Sequence, residues 1–180
     1  MDIQGKKVAI LVADGFEQSE YEVPKQELEK AGASTTTISL KSGEVRAWNH
    51  KEWGKMVKVD LAIDDADYDD FDALVLPGGV MNPDALRQDE KVLDFVRGFF
   101  DEGKPVAAIC HGPWTLIDAD VVDGRRMTSY KSLKVDLENA GADWTDESVV
   151  VDDGLVTSRV PADLPNFCRK MIEEIAEGIH

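Results

Sequence analysis

The stretch Pro105-Val106-Ala107-Ala108-Ile109-Cys110-His111-Gly112-Pro113-Trp114 decides how the chain is read. Its first five residues are a short apolar run with no polar face, the pattern of a strand buried on both sides in a parallel sheet. Gly112 and Pro113 suit a sharp turn into the first turn of a helix. A strand, a turn that carries a nucleophile and a helix together make a nucleophile elbow. That turn lifts the Cys110 sulfur out of the sheet and sets it beside free backbone N–H groups, which favour thiolate over thiol. The plainer alternative is an inert buried thiol. The flanking Gly and Pro, which shape a site rather than a packed strand, favour the elbow.

Outward from this stretch, the runs Val8–Val12, Ala73–Leu76 and Leu155–Ser158 also read as buried strands, and Thr35–Leu40 as a half-exposed one. Helical patterns lie between them over Gln18–Ala31, Lys91–Glu102, Ser132–Ala140 and Leu164–Ile179, the first three closed by Gly32, Gly103 and Gly141. Strand and helix alternate, so the expected class is α/β, a mostly parallel sheet with helices on both faces. Two hairpins break the rhythm: an excursion over Gly43–Asp60 around Gly54, and the pair Val149–Val151 and Leu155–Val156 joined through Asp152-Asp153-Gly154. No linker or repeat divides residues 1–180, which read as a single domain.

Ligands of open α/β sheets gather at the carboxyl ends of the strands. That edge collects Asp14-Gly15-Phe16-Glu17, Pro77-Gly78-Gly79-Val80-Met81, Cys110-His111 and Arg159-Val160-Pro161. Glu17, at a helix start, is either a helix N-terminal charge or, beside a thiolate, a carboxyl whose raised pKa lets it donate its proton to sulfur. Gly78-Gly79 is either an ordinary tight turn or a place where backbone approaches a ligand, with the Gly79 and His111 N–H groups as oxyanion donors. Trp114 and Met81 are core packing or pocket walls.

Composition removes several classes. The net charge is -16, which disfavours nucleic acid and anionic lipid. No apolar stretch approaches a membrane span, and the N-terminus runs directly into a strand, so neither a signal peptide nor a membrane partner is expected. Two cysteines make no disulfide framework, and a cytoplasmic, reducing compartment is expected. Three scattered histidines offer no metal-ligand cluster, and no phosphate-cradling glycine loop is found, so no metal and no cofactor is expected.

The motifs Gly15-Phe16-Glu17, Leu76-Pro77-Gly78-Gly79, Ala108-Ile109-Cys110-His111-Gly112-Pro113, Thr128-Ser129, Asn139-Ala140-Gly141-Ala142 and Leu155-Val156-Thr157-Ser158-Arg159, with Pro161 and Asp163-Leu164-Pro165, resemble those of the PfpI family of intracellular cysteine-protease-like and stress proteins. The resemblance covers nearly the whole chain. It implies a flavodoxin-like three-layer sandwich with Cys110 as nucleophile and Glu17 as its protonated partner. It also implies a homo-oligomer, a dimer or a hexamer, in which a carboxylate from a neighbouring subunit orients His111. Asp84 holds that position where the family often has Glu, and Asp is shorter by one methylene, on the order of 1.5 Å, enough to break a hydrogen bond. The family spans protease, deglycase or glyoxalase, and chaperone-like activities.

Two functions follow as expectations. One is a cysteine hydrolase acting on a small carbonyl, a peptide or a glycated protein, with Cys110 attacking, Gly79 and His111 holding the oxyanion, and Glu17 and His111 moving protons. The other is a redox-sensing or holdase stress protein in which Cys110 is oxidised. Cys168, flanked by Phe167 and Met171 in the last helical pattern, reads as core.

Overall fold

The computed structural model describes residues 1–180. In chain order the strands are β1 (Lys7–Leu11), β2 (Phe16–Glu17), β3 (Ser34–Ser39), β4 (Gly43–Asn49), β5 (Glu52–Val59), β6 (Leu61–Ala62), β7 (Ala73–Leu76), β8 (Val106–Ile109), β9 (Arg126–Met127), β10 (Asp143–Trp144), β11 (Val150–Asp152) and β12 (Leu155–Ser158). The helices are α1 (Gln18–Lys30), α2 (Met81–Leu86), α3 (Glu90–Asp101), α4 (Pro113–Asp118), α5 (Lys134–Asn139) and α6 (Leu164–Glu177).

Seven strands form the central sheet in the order β11-β12-β8-β7-β1-β3-β6. Every pairing in it is parallel except β11 against β12. Successive side chains of a strand point to opposite faces, so apolar runs without alternation fill two cores at once. Ala9, Leu11, Leu74, Leu76 and Ala108 face α3 and α4 in a cluster of 24 buried residues. Val8, Ile10, Val75, Ala107 and Ile109 face α1 and α6 in a second cluster of 22. The result is a flavodoxin-like three-layer α/β sandwich, and the five expected strands all form within it.

The strand order reverses between β1 and β7: the chain leaves β1 for β3 on one side, then returns to build β7, β8 and β12 on the other. A crevice opens at the carboxyl ends of strands at such a switch point. Here it lies among the loops after β1, β7 and β8.

The excursion over residues 43–60 is a hairpin, as expected, but its turn is at His50-Lys51 and not around Gly54. Gly54 lies within β5 because a Cβ there would sit 2.3 Å from Gln18 Oε1; the missing side chain serves packing against α1, not reversal. The helix expected over Ser132–Ala140 is a 3-10 turn over Lys131–Leu133 followed by α5. No helix is long and apolar enough to cross a membrane.

Candidate active site

The elbow forms as its sequence suggests. β8 ends at Ile109, and Cys110 takes φ +62, the left-handed region, before Pro113 opens α4. A non-glycine residue there costs roughly 1–2 kcal/mol. Three backbone bonds hold it: Cys110 N–H donates to Ser158 O at 3.0 Å, Tyr130 N–H donates to Cys110 O at 2.8 Å, and Gly112 N–H donates to Ile109 O at 2.9 Å. Strain held by surrounding hydrogen bonds fits a side chain whose direction is fixed.

The Gly78-Gly79 loop closes over the sulfur from β7. A Cβ on Gly78 would stand 2.7 Å from both Cys110 Cβ and Glu20 Oε1, so only hydrogen fits against these two side chains there. Gly79 has φ +77, and its Cβ would meet Gly15 O at 2.4 Å. Asn82, 0% exposed, pins this loop. Its Nδ2 donates to Pro77 O and Gly78 O at 3.0 Å each, and its Oδ1 accepts from the Ala13 N–H at 2.7 Å. One side chain therefore ties the loop after β1 to the loop after β7.

The carboxyl against the sulfur belongs to Glu20, which corrects the expectation of Glu17. Glu20 lies in the first turn of α1, is 0% exposed, and accepts from the Gly78 N–H at 3.2 Å. Its Oε2 has no partner. Burial, reinforced by the nearby Glu17 charge, pushes Glu20 up to about 8, so it carries its proton at neutral pH. A protonated, unpartnered carboxyl oxygen is a donor in search of an acceptor, and Cys110 is a side chain beside it; to an ionised Glu20 the thiol S–H would donate instead, which lowers the Glu20 pKa.

Cys110 is only 9% exposed. Burial first, then the Glu20 charge if it forms, push the thiol up, while the Gly79 and His111 N–H groups pull it down. The expected rim thiolate therefore needs correcting, since amide groups alone do not ionise so buried a sulfur. Two like charges cannot share this space, so thiol and carboxyl titrate as a pair. Either anion would have two amide N–H groups and the other group's proton: Gly79 and His111 with the Glu20 proton for sulfur, Gly78 and Gly79 with the Cys110 proton for the carboxylate. Thiolate therefore depends on Glu20 keeping its proton.

His111 Nδ1 lies 3.2 Å from Cys110 Sγ although the two are adjacent in sequence. The ring is stacked on Tyr130 at 4.8 Å, its Nε2 faces Ser132 Oγ at 3.4 Å, and burial pushes its pKa down, leaving it neutral. Thiol, neutral imidazole and protonated carboxyl border one cavity of about 540 Å³, which also includes Glu17, His50, Met81 and Pro161.

Other expected site residues fall elsewhere. Trp114 stands behind the His111 ring at 5.4 Å, bonded through Nε1 to Asp136 Oδ2 and overlain by Arg87, and does not line the cavity. Arg159 is held by Asp163 and Asp146 and borders a separate cleft beyond Tyr130. Its two acidic partners neutralise it and turn it aside. Asp84 is exposed on α2, and within the protomer no carboxylate bonds His111. Three residues not singled out from sequence line the cavity from the hairpin: Trp48, His50 and Lys51. Outside the cavity, Glu174, Glu177 and His180 bring potential ligand atoms within 4.8 Å of one another near the C-terminus.

The chain is similar to known proteins over nearly its whole length. The family model described as DJ-1/PfpI family matches residues 6–174. The chain is 47% identical over 168 residues to Protein/nucleic acid deglycase 2 of Escherichia coli, covering 93% of this chain and 96% of the relative. It is 46% identical over 169 residues to General stress protein 18 of Bacillus subtilis, again covering 93% and 96%. The crystal structure of Drosophila melanogaster DJ-1beta superposes with a TM-score of 0.85 at 30% identity, covering 97% of this chain and 95% of that one.

Proposed function

The chain belongs to the DJ-1/PfpI family, and from that premise we propose that it is a cysteine-dependent enzyme of the deglycase or glyoxalase kind, acting on small 2-oxoaldehydes and their early adducts in a stress response. The observation that carries this reading is a protonated, fully buried Glu20 beside Cys110 in a cavity of about 540 Å³. Such a space suits a small dicarbonyl better than a folded protein. The names of relatives, a deglycase and a general stress protein, support the same reading.

The proposed steps use only groups at the site. The Cys110 sulfur adds to the aldehyde carbon, and the C=O electron pair moves to oxygen, held by the Gly79 and His111 N–H groups. Glu20 gives its proton to that oxygen. The resulting carboxylate, or the neutral His111, takes the hydrogen of the same carbon as a proton and returns it to the neighbouring carbon, while the hydroxyl proton on the first oxygen passes to the former ketone oxygen, leaving a 2-hydroxyacyl thioester. Water then cleaves the C–S bond, releasing a 2-hydroxy acid and the thiol. A peptidase would need His111 oriented as a strong base. In a homo-oligomer, Asp84 is the residue we assign to that contact, and its short side chain makes it a poor one.

Methylglyoxal turnover to D-lactate, measured beside cleavage of fluorogenic peptides, tests the reading. Lactate forms, peptides stay intact, and Cys110→Ala reduces lactate to the uncatalysed background. Lactate formation that survives Cys110→Ala, or peptide cleavage without lactate, overturns it.

A further inference from the structure

We infer that Glu17 passes protons between solvent and the buried Cys110–Glu20 pair. This rests on the reaction proposed above, which turns a 2-oxoaldehyde and water into a carboxylate and one proton. That proton must leave on every turnover. Glu20 is 0% exposed and meets water only through the cavity it borders. Glu17 is the other carboxyl in the cavity, at the N-cap of α1 and one helical turn before Glu20. Its Oε1 is buried with no hydrogen-bond partner, while the residue as a whole is partly exposed, so its carboxyl spans the boundary between cavity and solvent.

The position of Glu17 is built rather than incidental. Its N–H donates to Gly78 O at 3.3 Å, on the loop that also carries the Gly79 donor. Phe16 and Glu17 pair with Ala47 and Trp48 of β4. The hairpin tip then folds over the carboxylate, with the His50 backbone N–H facing it and His50 itself at φ +57. The charged and titratable groups that share the cavity with Glu17 are Glu20 on its own helix, His50 and Lys51 from the hairpin, Cys110 and His111 from the elbow, and Tyr130 from the loop after β9; α2 contributes the apolar Met81. Burial raises Glu17 as well, bringing it closer to Glu20 in proton affinity. A relay works best between groups of similar affinity. Glu17 acts through Glu20 and need not touch the substrate.

The experiment compares wild type with Glu17→Ala and Glu17→Asp for methylglyoxal turnover, with and without added acetate. Glu17→Ala lowers kcat about tenfold or more with KM changed by less than about twofold. Acetate restores kcat in proportion to its concentration, and Glu17→Asp retains much of it. A kcat unchanged in Glu17→Ala, or a loss that neither acetate nor Asp repairs, overturns the relay. A wild type that makes no lactate overturns the reaction instead. In that event a pH jump followed by thiolate absorbance still tests the relay. Deprotonation of Cys110 is slower in Glu17→Ala and recovers with acetate; an unchanged rate rejects the role.

Discussion

Cys110 and Cys168 belong to the same buried cluster, at 9% and 4% exposure. Each also borders a cavity of about 540 Å³, Cys110 at the sheet edge and Cys168 in the groove of α1 and α6 with Val23, Leu164 and Ile172. Burial pushes both thiols up, Cys168 to about 12. Their surroundings separate them. Cys168 lies inside α6 in ordinary helical backbone, and the only charge acting on it is that of Glu27, which raises it further. Cys110 sits at φ +62 on a turn, with two amide donors, an imidazole nitrogen at 3.2 Å and a carboxyl that keeps its proton. Neither a cavity nor burial makes a thiol a reagent; the groups able to donate to its anion do.

The pH dependence of stability should break the two regions apart most strongly. Glu20 is ordinarily near 4.5 and stands at about 8 in the fold. Between those values the folded chain binds more protons than the unfolded one, so stability falls as pH rises through that window. Cys168, raised from 9.0 to about 12, loses stability only above about 9. Glu20→Gln, neutral at every pH, therefore gains several degrees of Tm over wild type as pH goes from 5 to about 8, and the gain vanishes near pH 5. Cys168→Ala shows no such trend below pH 9. Thermal melts across that range check this, and a pH-independent difference for Glu20→Gln contradicts it.

A smaller effect sharpens the backbone half of the comparison. At Cys110 the left-handed φ favours glycine, so Cys110→Gly is more stable than Cys110→Ala by about 1 kcal/mol. In the middle of α6 the order reverses, with Cys168→Gly less stable than Cys168→Ala by about 1 kcal/mol. Denaturant titration of the four variants reads the crossing directly. The same order at both positions would mean that the elbow is not strained.

The two regions also differ in how far the sequence discloses them. Cys168 reads as core from its neighbours Phe167 and Met171, and it is core. The elbow is legible because an apolar strand stops abruptly at Cys-His-Gly-Pro, and the switch-point rule gathers the right loops around it. Glu20 is missed because a buried acid inside an amphipathic helix looks like any other surface glutamate. The spacing Glu17-x-x-Glu20, which puts both on one face of α1, is the signal that could have found it. The hairpin tip escapes because Gly54 imitates a turn while serving a packing need against Gln18. Arg159 misleads in the opposite sense, since Asp163 four residues on already holds it. Local pattern carries strands and turns, whereas the partner of a buried charge is set by contacts distant in sequence.

The central claim is that Glu20 is protonated and stabilises the Cys110 thiolate. The most direct test is the pH profile of Cys110 alkylation by iodoacetamide in wild type, Glu20→Gln and Glu20→Leu. A neutral carboxyl donor predicts a midpoint lowest in wild type, higher in Glu20→Gln and highest in Glu20→Leu. If Glu20 were instead an anion beside the sulfur, its removal would relieve repulsion, and a Glu20→Leu midpoint at or below that of wild type would contradict the account.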